Sequence, residues 1–165
     1  MPNGMTRRER EITDIHEICR ILDAAKVTNV GLVDDGEPYV VPMNYGYTME
    51  DGQLTVYLHG AMRGRKLDVI AKEPRVFLTM IADAVPFEGD VACRYGMAYC
   101  SVMAKGVAEI VTDSEEKKRG LSVLMKTQTG KDFTFEDRLV SIVTAICIDV
   151  EEYTAKHRPL PEKLR

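Results

Sequence analysis

Two Asp-Gly pairs, Asp35-Gly36 and Asp51-Gly52, limit what this chain can fold into more than any other feature. Asp-Gly is among the few dipeptides that accept positive φ at both centres of a tight hairpin turn. Each pair separates runs rich in β-branched and aromatic residues: "VTNVGLV", "EPYVVPMNYGYTM" and "QLTVYLH". The pattern predicts three antiparallel strands joined as hairpins. Downstream, "RVFLTMIA" reads as a further strand and "AYCSVMAKGVAEIV" as a long one bent at Gly106. In "LVSIVTAICIDVEEYTAK", Ile142, Thr144, Ile146, Ile148 and Val150 alternate with their neighbours and give the last strand. The segment 83–97, "DAVPFEGDVACRYGM", is punctuated by Pro86 and Gly89 and reads as a long loop.

Helices fill the remainder. Asp14 and Glu17 have capping-box spacing ahead of an apolar face of Ile15, Ile18, Cys19, Leu22 and Ala25. A second helix is predicted from about Gly64 to Lys72, with Leu67, Ile70 and Ala71 on one face and Pro74 ending it. Asp113 and Glu116 cap a third, "SEEKKRGLSVLMKTQ". Six strands in hairpin order with helices at the ends and one crossover predict a mainly β (α+β) fold, a six-stranded antiparallel barrel with flanking helices. Regular β-α alternation and G-x-G-x-x-G are both missing, which argues against a Rossmann site. The 165 residues suit one domain, with 1–12 and 158–165 as extended arms.

A formal charge of −4 argues against general nucleic-acid binding. No apolar run reaches the roughly 18 residues of a membrane span, and the first twenty residues carry no hydrophobic signal core. A cytoplasmic location is therefore expected. Cys19, Cys93, Cys100 and Cys147 form no C-x-x-C, and His16, His59 and His157 have no metal spacing, so no disulfide framework or metal site is expected.

Two stretches point to chemistry. "YLHGAMRGRK" leads from a strand into the second helix and sets Arg63, Arg65 and Lys66 at its start. A helix start already carries partial positive charge, so cations there are either merely solvated or hold an anion such as a phosphate. The spacing is not that of a nucleotide P-loop, because Leu67 follows the lysine. In "VVPMNYGY", Pro42 cannot donate to a ladder, which marks an edge or a break. Such a strand either blocks aggregation or leaves backbone groups free for a flat polar ligand.

"EPYVVPMNYGY", "LTVYLHGAMRGRKLDVIAKEPRVFLTM" and "YCSVMAKGVAEIV", in this order, resemble the pyridoxamine 5′-phosphate oxidase-related flavoproteins, and within them the 5-nitroimidazole reductase branch. The likeness runs from about Met5 to Pro159. It implies a split β-barrel that forms a homodimer with FMN in clefts at the interface. It implies further that Arg65 and Lys66 hold the FMN phosphate, and that Pro42, Met43, Asn44 and Tyr45 pass along the isoalloxazine through backbone. Leu58 and His59 fall where the next strand reaches the cofactor, and Ser101 where a related serine lies. The family commonly has arginine at the position of Cys100, with Lys105 and Arg94 as possible substitutes. The implied activity is an FMN-dependent oxidoreductase passing electrons through flavin N5 to a nitro-heterocycle, a quinone or another small aromatic. His59 is the candidate proton donor, its unperturbed pKa being about 6.5, and Tyr45 or Tyr47 could stack on substrate. The alternatives are a flavin-binding or storage protein without turnover, and the same fold holding haem or a deazaflavin.

Overall fold

The computed structural model describes residues 6–162. Its strands are β1 (Glu11–Ile12), β2 (Val27–Asp34), β3 (Glu37–Asn44), β4 (Gly46–Glu50), β5 (Gln53–Gly60), β6 (Arg75–Phe87), β7 (Gly96–Val111) and β8 (Thr144–Arg158). The helices are α1 (Ile15–Ala25), α2 (Arg65–Lys72), α3 (Ser114–Thr129) and the short α4 (Asp137–Val140). All strands join one antiparallel sheet in the order β3-β2-β6-β7-β8-β5-β4, with β1 paired to β8.

Both Asp-Gly turns form as expected, with φ of 50° and 90° at Asp35 and Gly36, and 50° and 83° at Asp51 and Gly52. The strand count is eight rather than six. The run 37–49 is two strands that part at Tyr45: β3 pairs with β2, whereas β4 pairs with β5 at the opposite end of the sheet. The sheet curls so that one residue bridges its two ends. Since β3 and β4 do not pair, it stays split rather than closed.

The predicted long loop at 83–97 is also corrected. β6 continues to Phe87 and β7 begins at Gly96, so the two extend as a paired arm after an irregularity between Ala82 and Val85. Pro86 sits within that arm, and Asp83 takes a positive φ of 54° at its base. Gly106 does mark a register shift, although the extra residue, Glu151, belongs to β8.

The core lies between the inner faces of the strands. Leu54, Val56, Leu58, Leu78, Met80, Val102, Ile146 and Ile148 are almost fully buried there. Asp14 caps α1 by accepting from the His16 N–H at 3.0 Å, while Glu17 is taken by Arg20 instead of closing the capping box. Ile18, Ile21 and Leu22 of α1 bury against the barrel, and α2 buries Leu67, Val69 and Ile70, with Ala71 left exposed. Asp113 caps α3 through the Glu116 N–H at 2.9 Å. No helix among the described residues is long and apolar enough to cross a membrane.

Candidate functional site

The basic corner forms where β5 ends and α2 begins. Gly64 stands at the helix start with no side-chain cap, and its carbonyl accepts from Leu67 and Asp68. Among the described residues no backbone bond takes up the Arg65 or Lys66 N–H, so the helix presents unfilled donors there. The Arg65 Nε donates to Asp34 Oδ2 at 2.7 Å, and its guanidinium lies 4.4 Å from the centre of the Tyr39 ring. α2 is thereby tied to the tip of the β2–β3 hairpin. Lys66 folds back over Gly60, where a Cβ would lie 3.2 Å from Nζ. Among the described residues, no carboxylate lies within ion-pair distance of Lys66 or Arg63. An ammonium held beside open helix N–H groups with no anion fits a phosphate.

From this corner β3 runs as a free edge. The two-residue turn makes Asp34 and Glu37 a hydrogen-bonded pair, so residues 38, 40, 42 and 44 turn their backbone groups away from β2. Both prolines of the strand, Pro38 and Pro42, occupy such positions, and their missing donors cost the ladder nothing. The N–H groups of Val40 and Asn44, with the carbonyls between them, remain open to a ligand. From Tyr39 to Pro42 the strand advances about 10 Å, a suitable span from a phosphate to a ring system.

The remaining expected site residues distribute as follows. Pro42 and Asn44 are exposed and Met43 packs toward the core. Tyr45 is fully buried, its hydroxyl donating to the Leu22 carbonyl at 2.6 Å and its own carbonyl accepting from Gln128 at 2.7 Å. Burial drives its pKa well above the tyrosine range, and does the same for Tyr47, whose hydroxyl is shared between the Cys19 carbonyl and Asp23 at 3.1 Å. Tyr45 is thereby closed off from a substrate, whereas Tyr47 is half-buried and lines an open cavity with Cys19, Asp23 and Met49. Leu58 points into the core and leaves only backbone for a cofactor, while neighbouring His59 points outward with a buried, unpartnered Nδ1. Ser101 is buried on β7, between Ile81 and Lys156, and its Oγ also lacks a partner. The register sets it about seven positions along the strands from Asp34, about 23 Å at strand rise, so one chain does not bring Ser101 to the basic corner.

Sequence reasoning missed Asp34 and Tyr39, the two groups that orient Arg65. No local signal marks them, because their role arises only when α2 docks on the hairpin tip. His157 lies in β8, opposite Cys100.

This geometry agrees with the comparisons. The family model described as pyridoxamine 5′-phosphate oxidase matches residues 14–157. No curated protein matches the chain. Among solved structures, a candidate 5-nitroimidazole antibiotic resistance protein from Bacteroides thetaiotaomicron superposes with a TM-score of 0.76 at 32% identity, over 89% of this chain and 86% of that one. The flavocytochrome Anf3 from Azotobacter vinelandii reaches 0.76 at 21% identity, over 95% and 73%. An FAD and haem binding protein from Mycobacterium smegmatis reaches 0.76 at 17%, over 94% and 78%. The last two share the fold. The family model covers nearly the whole chain and includes the hairpins, the parted strand and the basic corner; the chain belongs to the pyridoxamine 5′-phosphate oxidase family.

Proposed function

We propose that this chain is a cytoplasmic FMN-dependent oxidoreductase, working as a homodimer and reducing a small aromatic acceptor such as a nitro-heterocycle or quinone. The observation that carries the reading is Lys66, an ammonium with no carboxylate partner among the described residues, set at an uncapped helix start beside the Arg65 fork. In this reading Lys66 and Arg65 bind the phosphate, and the free backbone edge at Pro42 and Asn44, with Met43 between them held to β2, aligns the ring system. Tyr45 contributes its N–H, and Leu58 and His59 approach from β5. When bound, FMN supplies the redox chemistry, accepting and donating electrons. The chain's own part is to fix the ring, keep water from one face and place the His59 imidazole where a proton is needed.

A second copy fits the same reading. Val27, Val33, Val40, Ile81 and Val107 leave the sheet face opposite the core exposed and apolar, a surface that a two-fold partner covers. The partner also brings a second Ser101, whose orphaned hydroxyl is remote from the basic corner of its own chain.

The first experiment is a visible spectrum of the purified protein, with the released chromophore identified by mass. A flavin spectrum with the FMN mass is expected; a Soret band or a deazaflavin mass would overturn the cofactor. Changing Arg65 and Lys66 together to alanine should weaken FMN at least tenfold, about 1.4 kcal/mol, with the unfolding midpoint nearly unchanged. Equal FMN affinity in the double variant would remove the phosphate assignment. Turnover of NAD(P)H with an added nitroaromatic distinguishes an enzyme from a flavin carrier.

A further inference from the structure

A second cleft, of about 240 Å³, opens at the other end of the sheet from the basic corner, where the last residues of β8 pass beside the β6–β7 arm. Val85, Ala98, Tyr99 and Leu160 give it apolar walls, and His157 and Arg158 reach it from β8. The volume lies below that of drug-sized pockets, which start near 300 Å³, and suits a single substituted ring.

Arg158 is seated with unusual care. Its guanidinium lies 4.8 Å from the centre of the Phe87 ring. On the arm, Gly96 leaves room for it: a Cβ there would stand 2.7 Å from both Nη1 and Nη2. Ring and bare backbone thus hold the fork in place and reduce the entropy lost when it binds. Its charge is nonetheless uncompensated, since no carboxylate among the described residues lies within ion-pair distance. The one acid in the cleft, Asp83, is committed to Arg20 at 2.9 Å. Arg20 also donates to Cys100 Sγ at 3.6 Å, and burial keeps that thiol protonated. The cleft therefore combines apolar walls with one unmatched, preorganised cation.

We infer that this cleft binds a small aromatic monocarboxylate of about benzoate size, with the carboxylate on the Arg158 fork and the ring against Val85 and Ala98. The guanidinium matches a carboxylate through two parallel N–H···O bonds. The cleft adjoins Ser101, which the proposed dimer brings to the partner's basic corner, but its test needs no flavin.

The test is a ¹⁹F NMR titration of the full chain with 4-fluorobenzoate, repeated with neutral 4-fluorobenzamide. Saturable binding of the acid is expected, with the amide at least tenfold weaker. Arg158→Gln should weaken the acid at least tenfold, and Arg158→Lys, which keeps the charge but loses the fork, by a smaller factor. Both variants should keep the wild-type unfolding midpoint and, if FMN binds, the wild-type FMN affinity. Equal affinity for acid and amide, or unchanged affinity in Arg158→Gln, overturns the proposal. So does loss of benzoate binding in the Arg65/Lys66 double variant but not in Arg158→Gln, which would move the anion to the other corner.

Discussion

The two hairpins on either side of Tyr45 share one turn chemistry and serve opposite ends. β4–β5 is covered: α3 lies across it so closely that Gly46 contacts its backbone, and Leu54, Val56, Tyr57 and Leu58 are buried. β2–β3 is open: no residue of β3 is fully buried, its outer edge has no strand partner among the described residues, and its tip meets α2 through the exposed ion pairs Arg65–Asp34 and Lys72–Asp35. Identical local signals thus give one hairpin that stabilises the domain and one that is free to meet a ligand. What separates them is whether a helix arrives on top.

The sharpest way to break this contrast is to make the same change in both. In Gly46→Ala the new Cβ would stand 2.3 Å from Leu124 Cα and 2.4 Å from its backbone nitrogen, so α3 must shift. Urea unfolding should show a loss of about 3 kcal/mol, at the upper end for overpacking. Gly31→Ala on β2 meets the Phe77 carbonyl oxygen at 3.3 Å and should cost less than about 1 kcal/mol. Equal losses would mean that the covered and open hairpins do not differ as described.

A smaller effect probes the joint between them. Tyr45→Phe removes the 2.6 Å bond to the Leu22 carbonyl and should cost about 1 kcal/mol at neutral pH. Burial disfavours the Tyr45 phenolate, so the folded pKa lies above the unfolded value of about 10. The resulting stability is fully present below pH 10 and is lost as pH rises through the folded value. Stability measured from pH 7 upward should therefore fall less steeply above pH 10 in Tyr45→Phe than in the wild type. Identical slopes would show that the Tyr45 phenol titrates in the native state as it does in the unfolded chain.

Much of this was legible in the chain. Asp-Gly needs no tertiary context to fix a turn, and the alternation of Ile146, Ile148 and Val150 sets the inner face of β8 directly. Three cations at a helix start also signalled the corner, because their sign opposes the helix end. The parting at Tyr45 was not legible, since "PMNYGYT" keeps its β character while the pairing partner changes. Nor was the 83–97 arm, because Pro86 and Gly89 look the same in a loop as in a strand at a sheet margin. Asp34 and Tyr39 become visible as site residues only once α2 is docked, and Ser101 is distant in register from residues it was grouped with.

The least disruptive test concerns the open edge itself. Pro42 turns its nitrogen away from β2, so Pro42→Val breaks no ladder bond and adds one unpaired N–H at an exposed edge. Unfolding free energy should change by less than about 1 kcal/mol, because the gain in unfolded-chain freedom is small. The consequence should appear in solution behaviour instead, since a proline on a free edge blocks strand addition by another chain. Light scattering with increasing concentration should show larger species in Pro42→Val than in the wild type. If stability fell by more than about 2 kcal/mol, the Pro42 edge would have to be packed against something, and the openness that distinguishes β2–β3 from β4–β5 would be lost.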